Sequence, residues 1–144
     1  MKKRPTSRKS TSADRFHRVR ADHSGEITED YVELIADLIE ERGEARGSDI
    51  AKRLGVSNAT VVKTLKRLQE SDLVAQEPYR AIFLTDAGRK LADEGRRRHT
   101  IVEDFLIALG VSAETARADS EGLEHHVSSE TLDAMERFIR SRAS

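Results

Sequence analysis

The sequence predicts a mainly α protein: an N-terminal winged helix-turn-helix followed by an all-helical domain. Three observations predict it. Apolar residues recur at helical spacing through most of the chain. Near Gly55 a short turn joins two helical segments, and two brief β-prone runs follow directly. Beyond Thr85 every pattern is helical. At 144 residues the chain suits one domain or two small ones. Trp is absent and only two Tyr join four Phe, so a monomeric core would be thin and pairing with a second copy would bury more apolar area.

Residues 1–24 are polar and lack periodicity, so they are expected to form a basic, disordered extension. Eight Lys/Arg against Asp14 alone give residues 1–20 a charge of +7, on a chain whose net charge is −1. A basic arm on an acidic body suggests a polyanionic partner, and a solvated tail is the plainer alternative. Ile27, Tyr31, Leu34, Ile35, Leu38 and Ile39 predict a first helix from near Ile27 to Gly43. Ser48 is placed to cap a short helix carrying Ile50, Ala51 and Leu54. Gly55 supplies the turn, and Ser57 or Asn58 caps a helix with Val61, Val62, Leu65 and Leu68. Leu73–Gln76 and Ala81–Leu84 form a hairpin around Pro78-Tyr79-Arg80, which completes a winged unit over 25–90. Thr85 and Asp86 start a long helix to about Leu109, which Gly110 breaks. Helices from about Ser112 to Val127 and Ser129 to Arg142 complete a helical unit over 91–144.

A DNA-reading helix needs short polar side chains near its N-terminus and cations for phosphates. Ser57, Asn58, Thr60, Lys63 and Thr64 suit the first task; Lys52, Arg53, Lys66, Arg67 and Arg80 suit the second. An ordinary helical hairpin is the rival reading, and it explains the following basic-tipped wing poorly.

The stretch "EGLEHH" puts two carboxylates and two imidazoles within Glu121–His126. On a continuous helix Glu121, Glu124 and His125 share one arc of about 100°, so a solvated face and a metal site are both open. Asp30 and Glu33 flank the first helix's apolar stripe, where acidic residues also serve the helix dipole. His99 falls on the apolar stripe of the long helix, among Ala92, Gly95, Val102 and Leu106. A buried imidazole facing carboxylates needs compensating charge, which a divalent cation supplies. No cysteine is available as a disulfide or thiolate. Neither an apolar run of about 20 residues nor a secretory signal occurs, so a cytoplasmic protein without a membrane span is expected.

In combination, "TEDYVELI", the helix-turn-helix, "YRAIFLTDAGRKLA", "RRRHTIVEDFLIALGV" and "DSEGLEHHVS" resemble the manganese transport regulators of the iron-dependent diphtheria toxin repressor family, over roughly residues 26–140. The resemblance implies a metal-binding and dimerisation role for the helical domain. It carries over Asp30, Glu33, His99, Glu121, Glu124 and His125 as ligands and implies a cluster of two Mn²⁺ per subunit, with Glu33 and Glu124 able to bridge. The iron-responsive branch has Met and Cys where this chain has Asp30 and Glu121, and a hard, oxygen-dominated site suits Mn²⁺. Its ancillary histidine aligns with Arg117, which argues against a copy of that second site. Glu103 is expected to support a ligand rather than to be one. The SH3-like third domain of longer relatives is expected to be missing.

The resemblance thus implies a homodimeric, Mn²⁺-activated regulator of double-stranded operator DNA, most simply a repressor of manganese-uptake genes. An iron-responsive regulator using Fe²⁺ and a metal-independent winged-helix regulator are the alternatives. A dimetal enzyme is disfavoured, because Gly122 stands three residues before His125 and neither Glu-x-x-His nor His-Glu-x-x-His occurs.

Overall fold

Thr11 sets the start of the first helix. Its hydroxyl accepts the Asp14 N–H at 3.1 Å, and the Asp14 carboxylate accepts the Thr11 N–H at 3.1 Å. This reciprocal cap opens α1, Ser12–Arg42, in a computed structural model that describes residues 11–77 and 80–143, with the backbone alone over 16–23. The expected disorder is therefore corrected for residues 12–24, which are helical. A capping box and good helix formers such as Ala13 and Ala21 outweigh their polarity. Residues 1–10 lie outside the described residues. Gly43, at φ 81°, ends α1 by donating to the Ile39 carbonyl at 2.8 Å.

Helix α2 spans Gly47–Leu54 and α3 spans Asn58–Glu70. Arg46, not Ser48, is the N-cap of α2: its carbonyl already accepts from Asp49 and Ile50, so Ser48 lies inside the first turn. Gly55 closes α2 at φ 66°, and Ser57 caps α3 by accepting the Thr60 N–H at 3.1 Å. Strands β1, Val74–Gln76, and β2, Ile82–Leu84, pair antiparallel with Ala75 opposite Phe83. The Ile82 N–H also donates to the Ala45 carbonyl at 2.9 Å, which ties the wing to the segment after α1. The expected wing residues Pro78 and Tyr79 lie outside the described residues.

One core joins these elements, formed by Tyr31, Ile35 and Leu38 of α1 with Ile50, Val61, Leu65, Leu68, Val74 and Ile82. Val62 was expected on the apolar stripe but is 67% exposed. Adjacent helical residues differ by about 100°, so Val61 takes the inward position and Val62 the outward one. Leu54 is likewise exposed.

Helix α4, Asp86–Ala108, leaves the wing at close quarters. Thr85 accepts the Gly88 N–H at 3.1 Å and donates to the Asp72 carbonyl at 2.6 Å. Any Cβ at Gly88 would press on the Leu73 carbonyl. Helix α5, Ala113–Leu123, and α6, Ser129–Ala143, fold back on α4 around Ile101, Val102 and Leu132. The expected continuation of α5 to Val127 is corrected: Glu124–His126 form a turn. Arg98 draws this turn in by donating to the Val127 carbonyl at 2.5 Å, and the Ser128 hydroxyl accepts the Thr131 N–H at the start of α6.

Candidate metal centre and nucleic-acid face

Helices α1 and α4 and the end of α5 enclose a cleft of about 850 Å³. Its lining contains all six sequence-selected residues: Asp30 and Glu33 from α1, His99 from α4, Glu121 from α5, and Glu124 and His125 from the turn. The turn explains their unequal burial. Glu124 is 5% exposed, whereas Glu121 in the last turn of α5 faces solvent.

Glu124 sits between the two imidazoles. Its Oε2 lies 2.7 Å from His99 Nδ1, and its Oε1 lies 3.4 Å from His125 Nε2. His99 Nε2 meets Glu103 Oε2 at 2.9 Å. His125 Nδ1 meets Glu29 Oε2 at 2.5 Å, and its Nε2 meets Asp30 Oδ1 at 3.2 Å. Every ring nitrogen of these two histidines thus faces a carboxylate.

Burial pushes the Glu33 carboxyl up to about 7, and the neighbouring Glu124 charge adds to that effect. Burial also raises Glu124, opposed by His99. Hydrogen bonds to Asp30 and Glu29 push His125 up to about 10. The cleft therefore holds protons in place of a stronger positive charge.

Glu33 Oε1 is buried without a hydrogen-bond partner. An orphaned buried carboxylate oxygen is costly unless something pairs with it. Together with a sulfur-free set of carboxylates and two imidazoles, it fits a hard divalent cation.

Two further acids were not selected from the sequence. Donor atoms of Glu26, Asp30 and His125 all lie within 4.8 Å of one another, and Glu29 holds His125 directly. Their spacing from Asp30 and Glu33 along one helix was the available signal, since residues three and four apart share a face. Glu103 bears on His99 as expected of a supporting residue.

On α3, Asn58, Thr60, Lys63 and Lys66 are exposed, and Thr64 is half-buried. Ser57 and Thr60 are engaged with each other, their hydroxyls 2.9 Å apart. Arg80 is exposed and pairs with Glu77 at 3.0 Å. Lys52 is exposed, but Arg53 is held by Glu41 at 2.6 Å and so is less available to phosphate.

Residues 23–82 match "Iron dependent repressor, N-terminal DNA binding domain", and residues 85–143 match "Iron dependent repressor, metal binding and dimerisation domain". The chain belongs to the iron-dependent repressor family. Within that family it is similar to the transcriptional regulator MntR of Escherichia coli O157:H7, at 52% identity over 147 residues covering 97% of this chain and 95% of the relative. Against the HTH-type transcriptional regulator MntR of Bacillus subtilis (strain 168) the identity is 42% over 105 residues, covering 73% and 74%. Two solved structures share the fold. One is described as "Manganese-dependent transcriptional repressor complex with manganese", at TM-score 0.70 and 31% identity, covering 78% of this chain and 52% of that one. The other, "Structure of the manganese regulator SloR", has TM-score 0.68 and 31% identity, covering 78% and 53%. This chain therefore spans about half the length of those solved chains. Membership in the repressor family makes it a metal-responsive, DNA-binding transcriptional regulator. Among the described residues no helix is long and apolar enough to cross a membrane.

Proposed function

We propose that this chain is a homodimeric, Mn²⁺-activated repressor of manganese-uptake genes that acts on double-stranded operator DNA in the cytoplasm. The observation that carries the reading is the donor set of the cleft. Carboxylates and imidazoles converge from both structural units, without sulfur, around one unpartnered buried oxygen. Asp30, Glu33, His99, Glu121, Glu124 and His125 are the residues that would hold the metal, two ions per subunit, through carboxylate oxygens and imidazole nitrogens. The solved manganese regulator and manganese-dependent repressor, each 31% identical, support the choice of ion.

Helix α1 is the transmitting element. It carries Asp30 and Glu33 on the cleft side and Tyr31, Ile35 and Leu38 in the core shared with α2 and α3. A bound divalent cation supplies the charge that offsets repulsion among the carboxylates. With the cation bound, Asp30 and Glu33 would hold α1 against His99 of α4 and the Glu124–His125 turn, and α3 would be restricted through the shared core. In a dimer the two α3 helices must lie about 34–36 Å apart to enter successive major grooves. Ser57, Asn58, Thr60, Lys63 and Thr64 are assigned to base edges and nearby backbone, and Lys66 and Arg80 to phosphates.

The test is operator binding across Mn²⁺, Fe²⁺ and Zn²⁺ at matched occupancy, against a chelated control. Mn²⁺ is expected to tighten binding by about 5–150-fold, the range of a typical allosteric coupling. Equal affinity with and without Mn²⁺ sinks the reading, and a response to Fe²⁺ alone replaces the effector.

A further inference from the structure

Gly95 lies buried in the interior of α4, one turn before His99. Glycine is the poorest helix former after proline, so a buried interior glycine calls for a local cause. Here the cause is a crossing side chain. A Cβ at position 95 would collide with Glu33 Oε1 and would lie 2.8 Å from its Cδ and 3.3 Å from its Cγ. The same Oε1 has no hydrogen-bond partner. The Glu33 carboxylate is therefore held at this point by the shape of the α4 backbone.

We propose that Gly95 is a positioning residue: its bare backbone is the seat of the Glu33 carboxylate, and any side chain there displaces that donor from the cluster of His99, Glu124 and His125. This inference rests on the reading of Glu33 as a metal ligand. Metal–oxygen distances tolerate only about 0.2 Å, so a carboxylate lifted off its seat is a poorer donor even where the helix accommodates the change. Displacement is the response available to the site, because the colliding atoms are the free end of a side chain while α4 is fixed by its own hydrogen bonds.

The experiment uses four full-length chains: the natural one, Gly95→Ala, Glu33→Ala and the double variant. Mn²⁺ affinity is read from loss of the free-ion electron paramagnetic resonance signal, and the metal-free melting temperature is recorded for each. Gly95→Ala is expected to weaken Mn²⁺ binding by about tenfold or more, the usual effect of disturbing a ligand's support. Its metal-free melting temperature is expected to match or exceed that of the natural chain, because alanine is the better helix former. In the Glu33→Ala background the same change is expected to alter affinity by less than about twofold, since additivity fails where two residues act through one contact. Unchanged Mn²⁺ affinity in Gly95→Ala, with Glu33→Ala weakened, overturns the role of Gly95 and leaves Glu33 a ligand. Natural affinity in Glu33→Ala removes the ligand assignment itself. Equal weakening in both backgrounds also overturns the proposal, because the effect would not pass through Glu33. Should Gly95→Ala melt early, the double variant must recover the loss, and failure to recover it counts against the seat.

Discussion

At the scale of single residues, the metal-free cleft balances its carboxylates with protons on Glu33 and His125. Glu33 rises from 4.5 to about 7, so folding favours its neutral form. The fold therefore loses stability from this group as pH rises between those values. His125 rises from 6.5 to about 10, so its stabilisation is complete below 6.5 and is lost as pH climbs through 10. Both signs predict a metal-free melting temperature that falls from about pH 5.5 to about pH 9. Glu33→Gln, which mimics the protonated carboxyl, is expected to flatten the acidic part of that fall; an unchanged slope in thermal scans would refute the assignment. The same protons must leave when a cation binds. Calorimetry in buffers of different ionisation heat is expected to find about one to two protons released per subunit on Mn²⁺ binding near neutral pH. No release would mean that neither Glu33 nor His125 gives up a proton to the ion.

At the scale of elements, caps and tethers decide where structure begins and ends. Thr85 caps α4 and also holds the carbonyl of Asp72, whose φ of 57° is unusual for a residue other than glycine. Thr85→Ala is predicted to cost about 1–2 kcal/mol, the loss of a cap and of a hydrogen bond, with Thr85→Ser recovering most of it in denaturant titrations. Such local signals made α3 and α4 legible, because Ser57 and Thr85 each stand directly before an apolar period. The start of α1 escaped notice because its polar sequence hid a Thr11–Asp14 capping box. The end of α5 escaped for a different reason. Its apolar period runs on to Val127, but the backbone turns at Glu124–His126 and the Val127 carbonyl accepts from the distant Arg98, a contact that no local pattern announces. The family resemblance pointed to six residues that line the cleft; Glu26 and Glu29 share a face of α1 with Asp30 and Glu33, but their proximity to His125 comes only with the folded turn.

At the scale of the whole molecule, each unit has its own hydrophobic cluster, α1 packs against α4, and both helices line the acidic cleft. Arg96 of α4 also pairs with Asp37 and Glu40 of α1, at 2.5 and 3.2 Å, so part of the contact between units needs no cation. A cation in the cleft would strengthen an existing contact, and its influence on DNA must then run in both directions. If Mn²⁺ tightens operator binding by some factor, thermodynamic linkage requires operator DNA to tighten Mn²⁺ binding by that same factor. The prediction is measured by titrating Mn²⁺ into the regulator alone and into its operator complex, at one ionic strength because phosphate contacts depend steeply on salt. Glu124→Ala should abolish both effects together, since Glu124 contacts both imidazoles of the cleft. Operator-induced tightening that survived in Glu124→Ala would place the coupling outside this cleft, and two unequal factors in the natural chain would mean that metal and DNA do not bind one common dimeric state.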